Sequence, residues 1–166
     1  MSKQTHIPGQ PFTAEQLRAV VSYCPETGVF TSHLTGRPIG FLVKAKGYVC
    51  LGVLGKKCNA HHLAWLLAYG EWPKGEIDHR DGVKTNNRLA NLRDVSRDVN
   101  SQNQLRAHSR STSGLLGVSA DPKRGKWKAS IFRESRKHFL GRFDTPELAH
   151  ACYVQEKRRL HPGCTI

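Results

Sequence analysis

The sequence predicts an α+β protein made of short strands and a few short helices. The segments GYVCLGV (47–53) and KKCNA (56–60) lie on either side of a turn at Gly55, which is typical of a β-hairpin. Residues 76–104 follow the order strand, polar loop, strand and helix, and residues 115–166 contain three strands followed by a helix. Small sheets joined to separate helices indicate the α+β class.

Capping residues mark an end of each of three predicted helices. Thr13 with Gln16 three positions later is a capping box. A second helix covers residues 61–70 and ends at Gly70. The last helix begins after Thr145. The apolar residues that follow Thr13 at helical spacing are Leu17, Val20 and Val21.

The distribution of charge divides the chain into two domains. The net charge is +13, of which residues 1–108 carry +6 and the shorter segment 109–166 carries +7. We predict a first domain at 1–108, which contains the amino-terminal helix and the hairpin, a polar Ser-rich linker at 109–114 and a second domain at 115–166.

Composition excludes several classes of protein. The longest apolar run, residues 63–69, is too short for a membrane span. The amino terminus has no apolar run of the kind found in secretory signals, and the five cysteines form no CxxC pair, so we expect reduced thiols and a cytoplasmic location. The basic excess predicts a polyanionic partner, either nucleic acid or an anionic membrane surface.

One group of polar residues has the chemistry needed for phosphodiester hydrolysis. A histidine can act as the base that activates water, because its pKa lies near neutrality. Carboxylate and amide oxygens are hard ligands that suit Mg²⁺ or Mn²⁺. Neighbours on a regular strand point to opposite faces, so Asp78 and His79 converge only if the strand bends or ends there. The group consists of Asp78, His79, Asn87, Asn91 and Asn100.

The first domain resembles the phage-type HNH endonucleases. The segments that carry this resemblance are AHHLAW (60–65), GEWP (70–73), IDHRDG (77–82), NNRLANLR (86–93) and Asn100. The resemblance implies a ββα-metal fold and metal-dependent hydrolysis of DNA. It also implies one divalent ion per active site and no small-molecule cofactor. This chain has His61-His62 where relatives usually have His-Arg.

The same resemblance assigns roles to individual residues. It implies that His79 is the general base and that Asp78 and Asn100 bind the single Mg²⁺ or Mn²⁺ ion. Asn91 corresponds to the central Asn, which pins the loop and orients the base, and Asn87 helps to order that loop.

The tail resembles the APETALA2-type DNA-binding domain through SGLLGVSADPKRGKWKASI (113–131), HFLGRFDTPELA (138–149) and Tyr153. This resemblance implies that one face of the three-stranded sheet binds double-stranded DNA. Leu116 and Ser119 replace the arginines of plant members, which favours contacts to the DNA backbone over base readout. We expect these contacts from Arg124, Lys126, Lys128, Lys137 and Arg142.

The favoured function is a metal-dependent DNA endonuclease of the homing or mobile-element type. One active site in a monomer would nick one strand, and the protein would act in the host cytoplasm if it is encoded by a bacteriophage. The alternative is a DNA-binding or regulatory protein that does not cleave. A third candidate function is RNA binding, but the sequence lacks the aromatic motifs and the GXXG loop of common RNA-binding modules.

Zinc binding by Cys50, Cys58, His61 and His62 is disfavoured by their spacing. The target sequence, double-strand cleavage, the oligomeric state and a role in homing, packaging or defence stay open.

Overall fold

A computed structural model describes residues 11–104, 107–108, 111–133, 136–161 and 164. The chain forms two compact units, Met1–Arg97 and Asp98–Ile166. The α+β class is confirmed, because each unit combines small antiparallel sheets with short helices. The domain boundaries predicted at residue 108 and at 115 remain predictions, and residues 109 and 110 of the predicted linker lie outside the described part.

The first unit begins with the short helix α1 (Ala14–Arg18), whose capping box between Thr13 and Gln16 is confirmed. The helical placement of Val20 and Val21 is wrong, because α1 ends at Arg18. Val21 opens strand β1 and pairs with Ser32, so cross-strand pairing overrides the helical spacing. Strands β1 (Val21–Tyr23), β2 (Phe30–Ser32) and β3 (Pro38–Ile39) form an antiparallel sheet in that order.

The predicted hairpin and the helix after it are confirmed. Strands β4 (Phe41–Val43), β5 (Tyr48–Val53) and β6 (Lys56–Asn59) form a second antiparallel sheet, which leads directly into helix α2 (Ala60–Tyr69). Gly70 ends α2 with a φ of 80°, a left-handed conformation that favours glycine. The largest fully buried apolar side chains of this unit are Leu17, Phe30, Leu51, Leu63 and Leu66.

A third, two-stranded sheet carries the predicted site. Strand β7 (Glu76–His79) pairs antiparallel with β8 (Leu92–Val95), and a polar loop with a 3₁₀ turn at Leu89–Asn91 joins them. Helix α3 (Arg97–Gln102) follows. The predicted order of strand, loop, strand and helix is therefore confirmed.

The second unit contains a three-stranded sheet in the order β11-β10-β9 and one long helix. The strands are β9 (Val118–Asp121), β10 (Lys126–Arg133) and β11 (Arg136–Phe143), and the helix is α4 (Pro146–Leu160). Strand β9 begins later than the predicted residue 115. Gly117 has a φ of 73°, and a Cβ there would lie 2.0 Å from the ring of Tyr153, so the extended strand starts only after this glycine.

The predicted alternation along β10 is confirmed. Ala129 and Ile131 are buried, and Trp127 is partly buried on the same face. Side chains of the opposite face are exposed or half-buried, and they lie beside outward residues of β11. A register shift between Ala129 and Ser130 keeps both faces continuous. The outward cross-strand pairs are Lys128 with Arg142, Ser130 with Phe139, and Phe132 with Lys137. Among the described residues, no helix is long and apolar enough to cross a membrane.

Candidate active site

Asp78 and His79 are the last two residues of β7, and both are buried. In the antiparallel register Asp78 lies opposite Arg93, and His79, where the strand ends, lies opposite Leu92. Asp78 Oδ2 accepts from Arg93 Nε at 2.8 Å and lies 2.6 Å from Arg93 Nη2. This ion pair fixes the Asp78 carboxylate, because a guanidinium presents several donors in a rigid plane.

The imidazole of His79 lies among aromatic rings. Its centroid is 5.1 Å from that of His61, at 86° between the planes, and 6.0 Å from that of Tyr48. His61 in turn lies 4.4 Å from His62 and 5.0 Å from Tyr48. Helix α2 and strand β5 therefore supply a wall that limits the movement of the His79 ring.

The side-chain amide of Asn87 contacts the ring of His79. His79 Nε2 lies 3.4 Å from Asn87 Oδ1, and Asn87 Nδ2 donates to the Thr85 carbonyl at 3.3 Å, which supports this orientation of the amide. An amide oxygen only accepts hydrogen bonds, so the contact favours the tautomer with the proton on Nε2. Nδ1 is then the basic nitrogen of the neutral ring.

Burial favours this neutral form. It lowers the pKa of His79 below its ordinary value, while Asn87, Asp81 and Asp78 act in the opposite direction. Burial together with His62 and His79 lowers the pKa of His61 to about 3. The pKa of His62 is also lowered by its burial and by His79. Near neutral pH the cluster therefore carries little positive charge, and the His79 ring can accept a proton.

Asn91 ties together the two ends of the loop between β7 and β8. Its Oδ1 accepts from the Asp81 amide at 3.0 Å, and its Nδ2 donates to Asp81 Oδ1 and to the Asn86 carbonyl, both at 2.9 Å. Its carbonyl accepts from the Arg80 amide at 2.9 Å. These bonds hold the backbone immediately after His79, which is the arrangement expected of a residue that pins the loop.

The amino-terminal sheet supports the segment that carries Asn87. The Tyr23 hydroxyl donates to the Asn87 carbonyl at 2.8 Å, and the Leu89 amide donates to the Pro25 carbonyl at 2.9 Å. A Cβ on Gly28 would lie 2.6 Å from the Asn87 carbonyl carbon, so only glycine allows this close approach.

The predicted metal ligands belong to different units. Asp78 lies on β7, and Asn100 is half-buried on α3 beyond the boundary at Arg97. The carboxylate of Asp78 and the amide of Asn100 each offer a hard oxygen, which is the kind of donor that Mg²⁺ and Mn²⁺ prefer.

Zinc binding by the cysteines and histidines of the first unit finds no support. The described part of the chain contains no group of three His, Cys, Asp or Glu side chains able to hold a metal ion. The Cys50 thiol donates to Asn59 Oδ1 at 3.2 Å, and burial raises the pKa of Cys58. Both cysteines are free thiols, and the burial that raises the pKa of Cys58 disfavours the thiolate form that binds zinc.

In the second unit, three of the five predicted DNA-contacting residues surround one carboxylate. Asp121 lies on the outward face, and its side chain is only 7% exposed. Its Oδ2 accepts from Arg142 Nε at 2.8 Å and lies 3.8 Å from both Lys128 Nζ and Arg124 Nη1. The hydrogen bond from Arg142, with help from the other cations, holds the pKa of Asp121 below its usual value.

The other two predicted contacts lie on the same face. Lys126 pairs with Asp144, and Lys137 is exposed opposite Phe132. The five side chains therefore form one cationic surface, which we call the outward face. It also contains Ser119, Ser130, Phe132 and Phe139.

Sequence analysis missed Arg93, Tyr48 and Tyr23 as parts of the site. Arg93 ends the NNRLANLR segment, and its position opposite Asp78 could be inferred once the two strands are paired. Tyr23 lies 64 residues from its partner Asn87, and no local pattern indicates that contact.

Comparisons with known proteins match the same region. A family model described as HNH endonuclease matches residues 58–102, from β6 to the end of α3. Protein 3.8 of Escherichia phage T7 is 35% identical over 107 residues, which make up 64% of this chain and 87% of that protein. No solved structure matches the chain.

Proposed function

This chain belongs to the family of its phage T7 relative and carries an HNH endonuclease domain, and we propose that it is a metal-dependent DNA endonuclease of the homing or mobile-element type. HNH domains belong to nucleases, which act on nucleic acid and generally use a divalent metal ion. The finer proposal, cleavage of double-stranded DNA in the host cytoplasm, rests on the basic charge and on the residues of the two units.

The contact between His79 Nε2 and Asn87 Oδ1 is the observation that carries this proposal. It favours the tautomer of the neutral ring in which Nδ1 accepts a proton, and it lies inside the matched HNH segment. We assign His79 as the general base. It takes a proton from water as the water oxygen bonds to phosphorus and the P–O3′ bond breaks. The leaving 3′ oxygen takes a proton from solvent, which gives a 5′-phosphate and a 3′-hydroxyl. Asn87 and Asn91 act as positioning residues for this base.

Asp78 and Asn100 would hold the divalent ion. When bound, such a cation stabilises the negative charge that develops on the phosphate. Arg93 supports this role because it fixes the Asp78 carboxylate from the neighbouring strand. The assignment of Asn100 follows the family pattern, in which the third residue of the motif is an Asn in the one-metal subgroup.

The outward face of the second unit would hold the DNA. Arg124, Lys126, Lys128, Lys137 and Arg142 present a cationic surface on a sheet, and we propose that they contact phosphates of double-stranded DNA. The APETALA2-like identity of this unit belongs to the same proposal.

The alternative is a DNA-binding protein of the same fold that does not cleave. The buried, supported His79 favours the enzyme. A nicking assay separates the two: supercoiled plasmid is incubated with the protein in Mg²⁺, in Mn²⁺ and in EDTA. Conversion to nicked or linear plasmid only with metal supports the endonuclease. Binding without conversion in any metal supports the alternative.

A further inference from the structure

Two aromatic side chains of the outward face are exposed. Phe132 is 63% and Phe139 is 56% exposed, although the opposite face of the same sheet buries Ala129 and Ile131 almost completely. Exposure of an apolar ring to water costs free energy roughly in proportion to the exposed area. Two such rings among cations therefore indicate a surface that is covered by a partner.

The two rings are diagonal neighbours on adjacent strands. Phe132 lies opposite Lys137, and Phe139 lies opposite Ser130, two residues before Phe132. Diagonal neighbours of an antiparallel pair are about 7–8 Å apart at the backbone. This separation suits two consecutive bases of an extended strand. The face is also cationic beside the rings, since the Arg142 guanidinium lies 5.0 Å from the Phe139 centroid.

This face has few side chains that are available to form hydrogen bonds with the edges of paired bases. Arg142 donates its Nε to Asp121, around which Lys128 and Arg124 also gather. Lys126 pairs with Asp144, Lys137 carries a single ammonium group opposite Phe132, and Ser119 and Ser130 are short. Paired bases offer only their edges in a groove, whereas unpaired bases offer their flat faces to an aromatic ring.

We propose that Phe132 and Phe139 form a stacking platform for unpaired bases, so that the second unit prefers DNA with a single-stranded or locally melted segment. This inference rests on the proposed binding of DNA by the outward face, and it narrows the double-stranded DNA of that proposal to DNA that contains an unpaired segment. The surrounding cations neutralise the phosphates of that strand, and the two rings contact its bases.

The test is fluorescence anisotropy of the full chain with one labelled sequence in three forms: single-stranded, fully paired, and paired with a central unpaired bubble. EDTA prevents cleavage. The variants are Phe132→Ala, Phe139→Ala, Phe139→Leu and Phe139→Trp. Phe41→Ala is the matched control, because Phe41 is also an exposed phenylalanine on a strand, 47% exposed and with Lys57 Nζ 4.8 Å from its ring.

We expect tighter binding of the single-stranded and bubble forms than of the duplex. Each alanine variant should weaken that binding about tenfold or more, with a small change for the duplex. Phe139→Leu keeps an apolar side chain without a flat face and should behave like Phe139→Ala, while Phe139→Trp should retain binding. A 2-aminopurine base in the bubble should be quenched by the wild type and by Phe41→Ala, and less by the alanine variants. Circular dichroism verifies folding.

Equal affinity of wild type and alanine variants for all three forms, with unchanged quenching, overturns the platform and leaves the endonuclease proposal intact. A loss of affinity by the alanine variants that is confined to the duplex also overturns the platform, and it indicates that the rings contact thymine methyl groups instead. Absence of binding to any DNA by the wild type overturns both this inference and the proposed DNA-binding role of the outward face.

Discussion

The Tyr23 hydroxyl donates a hydrogen bond of 2.8 Å to the main-chain carbonyl of Asn87, and the side chain of Asn87 contacts His79. This contact links the amino-terminal sheet to the candidate base across 64 residues of sequence. Burial raises the pKa of Tyr23 above its ordinary value, so the phenol keeps its proton and remains a donor at neutral pH. The amino-terminal sheet therefore helps to position the site.

Removal of this contact should slow cleavage more than it harms folding. Tyr23→Phe deletes one hydrogen bond, with an expected loss of about 1 kcal/mol in the free energy of unfolding. Gly28→Ala should be worse, because its Cβ would force the Asn87 backbone away, and a displacement of about 1 Å can cost roughly 10²-fold in rate. Single-turnover nicking rates measure the effect on cleavage, and thermal melts measure the effect on stability. Gly55→Ala is the matched control, since Gly55 also has a positive φ but a Cβ there meets no atom within 4 Å. Equal rates for the Gly28 and Gly55 variants would remove this positioning role.

Replacement of Asp78 should change the metal dependence of cleavage. Asp78→Asn lacks the charge of a carboxylate, so higher Mg²⁺ or Mn²⁺ concentrations should be needed and should partly restore the rate. Asn100→Ala should shift the dependence in the same direction but less, because it removes a neutral ligand. The control is Arg93→Gln, which breaks the ion pair with Asp78 but keeps the carboxylate. A metal titration of Asp78→Asn that superimposes on that of wild type contradicts the assignment.

The stability of the first unit should fall in weak acid because of His61. Its pKa is about 3 in the folded protein and about 6.5 in an unfolded chain. Between these values the unfolded chain binds a proton that the folded histidine does not. The free energy of unfolding therefore decreases as the pH falls through this window, by at most about 1.4 kcal/mol per pH unit from this group. Denaturant melts in EDTA from neutral pH to pH 4 should show a shallower dependence for His61→Phe. Identical slopes would disprove the contribution.

The outward face should dominate the salt dependence of DNA binding. Each phosphate contact contributes roughly 0.9 to the slope of log affinity against log salt, so Lys126→Ala with Lys128→Ala should reduce the slope by about two. Sequence preference should change little, because phosphate contacts carry no base information. The matched control is Lys56→Ala with Lys57→Ala on β6 of the first unit. If the two double variants have the same slope, the phosphate contacts lie elsewhere.

Local patterns predicted much of the fold. The capping box at Thr13, the left-handed glycine that ends α2 and the alternation along β10 each depend on a few neighbouring residues, and the structure contains all three. Local patterns mislead where contacts between residues distant in sequence determine the secondary structure. Val21 fits a helix by its spacing but joins a strand because Ser32 lies opposite, and the ring of Tyr153 against Gly117 delays β9.

The candidate site was predictable in its residue types more than in its geometry. Asp78, His79, Asn87 and Asn91 stand close together in sequence, and their motif indicated a common loop. The ion pair of Asp78 with Arg93 depends on the strand register, and the wall of Tyr48 and His61 comes from other elements. The cluster of three cations around Asp121 likewise can be recognised only when the pairing of the strands is known.

The central claim is that His79 acts as the general base, and the most direct test is the single-turnover nicking rate of His79→Ala in saturating Mg²⁺, compared with wild type at matched DNA occupancy. The account predicts a rate lower by roughly 10²–10⁴-fold, the usual contribution of a general base, with DNA affinity nearly unchanged. A cleavage rate equal to that of wild type would contradict it and remove His79 from the mechanism.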